Sequence, residues 1–67
     1  MNKETIGKNA GLVWNALCSG ERLSLKGLKK ATKLKDKELY AALGWLARED
    51  KVMLEETDEE ILVGLSC

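Results

Sequence analysis

The side chains best placed to do chemistry in this chain are lysines. Between Arg22 and Lys37 stand seven basic residues (Arg22, Lys26, Lys29, Lys30, Lys33, Lys35 and Lys37) against one acidic residue, Asp36, a net of +6. Ammonium groups gathered in this way neutralise phosphates and give affinity for a nucleic-acid backbone without reading its sequence. Lysine is also the usual covering of a solvated helix face. A second set lies just beyond. Lys37, Ala41, Gly44 and Arg48 follow one another at steps of 4, 3 and 4 and share one line of a helix, opposite Leu43. Only the two ends of that line carry groups able to bond a base edge, and its centre has no hydrogen-bonding side chain. Three readings stay open: DNA contact with little base specificity, a small-residue groove that admits another helix, and an ordinary solvated face. Tyr40 and Trp45 flank the line, one on each side. The candidate DNA-contacting set is Lys26, Lys29, Lys30, Lys33, Lys35, Lys37, Tyr40, Ala41, Gly44 and Arg48. The candidate protein interface is Tyr40, Ala41, Gly44, Trp45, Met53 and Leu62.

Other chemistries find little support. The chain has no His, no glycine-rich phosphate loop and no nucleophile beside a base, so an enzyme is not expected and no cofactor is implied. Cys18 and Cys67 are 49 positions apart, which is no metal-ligand spacing. Cys18 reads as a buried free thiol on a helix, Cys67 as a mobile one. From Glu49 to Glu60 seven acidic residues stand against Lys51 alone, a net of −6. These carboxylates could hold a divalent cation weakly, but no ligand spacing supports a dedicated site. With 11 basic and 11 acidic residues overall, the chain is neutral yet strongly dipolar. It shows no signal peptide and no apolar run near 18 residues, so cytoplasm is the expected location.

The elements that carry these residues can be read from periodicity and capping signals. Helix 1 is expected over 5–18, on the stripe Ile6, Ala10, Val13, Trp14 and Leu17, with Asn2 or Thr5 as N-cap. Trp14 belongs to that stripe and reads as core. Gly7 and Gly11, four apart, read either as loose helix propensity or as a place where another backbone comes close. Ser19-Gly20 ends the helix. A strand of two or three residues follows, with Leu23 inward. Ser24 then caps helix 2, expected over 25–32, with Leu25, Leu28 and Ala31 inward. Leu34 should plug the core in the turn 32–35. Helix 3 is expected over 36–49, with Leu39, Leu43 and Leu46 inward and Ala42 and Ala47 beside them. Trp45 falls about 120° from the centre of that face on the helical wheel. It covers the edge of the core against the hairpin, over Met53 and Leu62, or stands as an exposed anchor. Segments 52–56 and 60–65 alternate around the polar turn 57–59, a β-hairpin. Val52 and Leu54 would face the core with Ile61, Val63 and Leu65, leaving Met53 and Leu62 on the other face. A two-stranded hairpin is not stable alone, so it must pack on the helices with the Leu23 strand as third member.

The stretches NAGLVWNAL (9–17), LKGLKKATKL (25–34) and ALGWLARE (42–49), followed by KVMLEE (51–56), resemble a bacterial family of small winged helix-turn-helix domains of unknown function. The resemblance spans nearly the whole chain, and ALGWLARE is its most specific part. It implies an α+β fold in the order α1-β1-α2-α3-β2-β3, with helix 3 in the position that reads DNA in many winged-helix repressors. It implies no known ligand. The chain departs from the usual DNA-reading pattern at its acidic wing and at Lys35, where Ser, Thr or Asp is the commoner cap.

Sixty-seven residues make one domain, 1–67. A chain this short buries only roughly 60% of its unfolded surface, and it has no Phe, so its core must be aliphatic. Dimerisation is one way such a domain gains burial. Two functions compete on nearly even terms. One is a DNA-binding, transcription-associated protein making weak or non-specific contacts. The other is a protein-interaction module, self-associating, that keeps the winged fold without DNA. The partners considered are duplex DNA, a homodimer or another protein, with no membrane and no small-molecule substrate. If DNA binds, five carboxylates at the wing require it to point away from the phosphates.

Overall fold

A computed structural model describes residues 2–18 and 20–66. The order is α1 (Lys3–Leu17), β1 (Leu23–Ser24), α2 (Leu25–Thr32), α3 (Asp36–Arg48), β2 (Val52–Glu56) and β3 (Ile61–Leu65). This is the α+β winged helix-turn-helix arrangement. Helix α1 starts two residues earlier than expected because Asn2 takes the cap, its Oδ1 accepting from the Thr5 N–H at 2.9 Å. Ser24 caps α2 in the same way, accepting from the Gly27 N–H at 3.0 Å. Lys35 has no side-chain acceptor, so the cap of α3 is built from the other half: the Lys35 N–H donates to Glu38 Oε1 at 3.0 Å.

Both later helices stop on a left-handed residue that is not glycine. Lys33 (φ 62°) closes α2, its N–H donating to the Lys29 carbonyl at 2.7 Å. Asp50 (φ 58°) closes α3 in a Schellman motif. There the Asp50 N–H donates to Ala47 O at 3.1 Å and the Lys51 N–H to Leu46 O at 2.9 Å.

The three strands form one antiparallel sheet in the order β1-β3-β2. Leu23 pairs with Val63, and Val63 with Leu54, so one row of apolar side chains crosses the sheet. Thr57 holds the wing turn. Its N–H and hydroxyl both donate to Glu60 O at 2.8 Å, and its hydroxyl oxygen accepts from the Glu60 N–H at 3.0 Å.

The core is aliphatic, as the absence of Phe requires. Val13 and Leu17 of α1, Leu28 of α2, Leu39 of α3 and Val63 of β3 are fully buried at its centre, with Ala10, Ala42, Leu43, Leu46 and Val52 around them. Leu34 in the turn is buried among them. One polar side chain joins this cluster: Asn9 is buried on α1, and its Nδ2 has no hydrogen-bond partner among the described residues.

Five expectations fail, each for a nameable reason. Trp14 is 41% exposed: Asn9, Ala10, Val13 and Leu17 are the buried residues of α1, and the indole lies at the edge of their stripe. Cys18 is exposed because it caps α1 one position beyond Leu17, which turns it off the core. Ala31 is exposed because α2 continues its inner stripe from Leu28 to half-buried Thr32, whose hydroxyl donates to Leu28 O at 2.7 Å. Leu54 shares the helix-facing side of β2 with Val52, yet it is 53% exposed against 7% for Val52. Strand alternation sets the side of the sheet, and nothing covers that side as the wing runs past the helices. Trp45 is 39% exposed and lines a cleft with α1, whereas Met53 and Leu62 line another on the outer side of the sheet. Trp45 lies against α1, where a Cβ built on Gly7 would meet the indole Cζ2 at 3.8 Å. No backbone among the described residues comes close to Gly7 or Gly11: Gly7 faces that ring and Gly11 faces open space. Ser19 and Cys67 lie outside the described residues, and with them the expectations of a Ser19-Gly20 stop and a mobile terminal thiol.

Candidate functional site

Helices α2 and α3 and the turn between them carry all six candidate lysines. Lys26, Lys29, Lys30, Lys33, Lys35 and Lys37 are every one exposed. Each lies off the Leu25/Leu28/Leu34 face that packs inward, so the amphipathic pattern of α2 is what turns the ammonium groups to solvent. The Lys29 ammonium is paired with Asp36 Oδ1 at 2.7 Å, joining α2 to the first turn of α3. The hydrogen bond that Lys29 donates to the Asp36 carboxylate, and then the negative charge of Asp36, raise the pKa of the Lys29 ammonium above its ordinary value. Lys26, Lys30, Lys33, Lys35 and Lys37 make no ion pair among the described residues.

Along α3, Lys37, Gly44 and Arg48 are exposed and Ala41 is half-buried. Gly44 has no heavy atom within 4 Å of where a Cβ would stand. The centre of the helix is therefore open as well as featureless. Beside it runs an apolar groove of about 390 Å³, lined by Leu25, Tyr40, Leu43, Gly44, Ala47, Leu54 and Ile61. Leu43 and Ala47 make its floor, while Tyr40 and Leu54, both about half exposed, stand at its sides. Sequence reasoning missed this groove. Strand alternation puts Leu54 and Ile61 on the core side, and periodicity carries no signal that the sheet face opposite Gly44 is left uncovered.

The candidate protein interface is divided between three surfaces. Tyr40, Gly44 and half-buried Ala41 belong to the α3 face beside the groove. Trp45 sits with Trp14, Gly7 and Gly11 in a separate cleft between α1 and α3. Met53 and Leu62 lie on the outer side of the sheet with Arg22, which pairs with Glu55. No single partner surface collects all six.

The acidic wing stays close to the basic helix. Glu59 and Glu60 line one cleft with Ser24, Leu25 and Lys26 at the start of α2. Its carboxylates thus face the first lysine of the cluster, and the remainder, from Lys29 to Lys37, lies further along the helix and turn. Among the described residues no group of His, Cys, Asp and Glu could hold a metal ion, and no helix is long and apolar enough to cross a membrane.

This geometry has relatives. The chain is 36% identical over 66 residues to the uncharacterized protein MJ1608 of Methanocaldococcus jannaschii, covering 90% of this chain and 89% of that one. The solution NMR structure of protein BT2368 from Bacteroides thetaiotaomicron superposes with a TM-score of 0.85 at 37% identity, over 97% of this chain and 79% of that one. HlyU from Vibrio cholerae shares the fold at a TM-score of 0.71 and 22% identity, over 100% of this chain and 83% of that one. The family described as a winged helix-turn-helix domain, DUF2582, matches residues 1–65, and the chain belongs to that family.

Proposed function

We propose that the protein is a DNA-binding, transcription-associated winged-helix domain whose contacts are mainly to phosphate. The observation that carries this reading is the run of exposed lysines along α2, the turn and the start of α3, five of them without an ion-pair partner among the described residues. Free ammonium groups on the two helices of a helix-turn-helix supply the salt-dependent, sequence-independent part of DNA affinity. Base reading is minimal here. Between Lys37 and Arg48 the outward line offers only Ala41 and Gly44, neither of which can distinguish one base edge from another by hydrogen bonding.

Binding of arbitrary duplex DNA, followed by fluorescence anisotropy across a salt series, tests this directly. The logarithm of affinity should fall linearly with the logarithm of salt. Lys30→Ala and Lys37→Ala should each reduce that slope by about 1 while leaving sequence preference unchanged. Absence of binding at roughly 50 mM salt ends the DNA reading.

A second reading is supported by one specific observation: the groove between α3 and the wing is apolar and open, and Leu54 stands exposed in it. Duplex DNA has little use for such a surface beside an acidic wing, whereas a protein partner buries it with gain. On this reading the α3 face is a protein-docking surface.

A further inference from the structure

We infer that the acidic wing competes with DNA for the start of α2, and so confines phosphate contact to the other end of the basic surface, from Lys30 to Lys37. This rests on the DNA reading and deepens it.

The basic residues of 22–37 stand in two different electrostatic settings. Ser24 of β1 pairs with Leu62 of β3, so α2 starts beside the point where β3 leaves the wing turn. Wing carboxylates therefore reach the first residues of the basic run. Arg22 is ion-paired with Glu55. Lys26 shares one cleft with Glu59 and Glu60, and Ser24, Leu25 and Ile61 complete its lining. Lys29 is paired with Asp36. Lys30, Lys33, Lys35 and Lys37 are exposed, carry no ion pair among the described residues and take no part in the wing cleft.

A phosphate brought to Lys26 meets one positive charge against the two negative charges of Glu59 and Glu60. At the far end it meets lysines with no carboxylate in ion-pairing range among the described residues. The repulsion is local, because physiological salt screens exposed charges over about 8 Å. Lys33 lies about 10 Å beyond Lys26 along the axis of α2, at 1.5 Å per residue. The wing thus acts on Lys26 and spares the turn. Its carboxylates stand where DNA phosphates would otherwise bind.

The test is fluorescence anisotropy on the whole chain with an arbitrary duplex, over a salt series upward from roughly 50 mM. The variants are Glu59→Gln with Glu60→Gln, Lys26→Gln alone, and all three changes together. These side chains are exposed and the turn's bonds to Glu60 use its backbone, so the fold should survive, and circular dichroism checks it. The wing variant should bind at least about threefold more tightly at low salt, with a salt slope steeper by about 1 as Lys26 gains a phosphate. Lys26→Gln should change affinity by less than about twofold in the wild-type background and should take back most of the gain in the wing variant. A charge effect spread over the whole domain gives the same Lys26→Gln penalty in both backgrounds, and that result overturns the inference. So does a wing variant that binds no better than wild type. In both cases wild type still binds, and the DNA reading stands.

A DNA-free arm follows the lysine side chains by NMR at low salt. Glu59→Gln with Glu60→Gln should shift the Lys26 Cε resonance and leave those of Lys33 and Lys37 in place. An unmoved Lys26 resonance overturns the inference whether or not DNA binds. If Lys26 shifts and neither wild type nor the wing variant binds DNA at roughly 50 mM salt, the DNA reading fails and the competition fails with it.

Discussion

The Trp45 indole lies over Gly7, with its Cζ2 3.8 Å from the point a Cβ on Gly7 would occupy. That distance is ordinary van der Waals contact, so a methyl group fits without moving the ring. Glycine inside a helix costs roughly 1 kcal/mol against alanine. Gly7→Ala should therefore raise unfolding free energy by about 0.5–1 kcal/mol in a urea titration. Gly11→Ala, which meets nothing within 4 Å, should do the same. A larger side chain, as in Gly7→Leu, should lift the indole and shift Trp fluorescence to the red. Destabilisation by Gly7→Ala would mean that the ring sits closer to α1 than described.

Lys33 closes α2 in the left-handed region at φ 62°, a conformation that costs most side chains about 1 kcal/mol or more. Lys33→Gly should stabilise the domain by up to about 1 kcal/mol, read as a shift of the urea midpoint at unchanged slope. Lys33→Val should destabilise it, because branching at Cβ crowds that conformation further.

Two leucines that look alike in composition should behave differently. Leu28 is fully buried and Leu54 is 53% exposed. Leu28→Ala should cost about 2–5 kcal/mol, enough to unfold much of so small a domain, while Leu54→Ala should cost less than about 1 kcal/mol in the monomer. Thermal melts at low protein concentration separate the two.

The Lys29–Asp36 pair has a pH signature. Asp36 holds the Lys29 ammonium above its ordinary value of 10.5, so the folded state favours the charged form. Whatever the pair adds to stability is fully present below 10.5 and is lost as pH rises through the raised folded value. NMR titration of the Lys29 side chain should show its midpoint fall in Asp36→Asn. Because both groups are exposed, the effect on stability itself should be small. Asp36→Asn should also strengthen DNA binding on the phosphate-contact reading, since it releases a lysine and removes a carboxylate from the basic face.

Most of the fold is legible in the residues. The bounds of α2, the two-residue strand at Leu23, the Leu34 plug and the hairpin all follow from local signals: caps, periods of 3.6 and 2, and turn chemistry. The inner residues of α3 follow too, because Leu39, Leu43 and Leu46 are the large apolar side chains on one side of that helix. The lysine surface was equally readable, since a charged side chain on the polar face of a short amphipathic helix has nowhere to go but solvent.

The misplacements share one cause. A residue's angle about its own helix, or its side of a strand, is a local quantity written in the chain. Which element lies beyond that angle is not. Trp45 was at the edge of the core from its wheel position, but only the packing of α1 against α3 placed Gly7 rather than the hairpin beneath it. Leu54 was on the helix side of the sheet by alternation, but only the path of the wing past the end of the helical layer left it bare. The candidate interface residues looked like one patch because they were all off the core. Three dimensions divided them among the α3 groove, the α1–α3 cleft and the back of the sheet. Local sequence determined what each element is and which face it buries. The tertiary structure alone decided which exposed faces meet at one place, because that depends on contacts between residues far apart in the chain, for which one sequence carries no period.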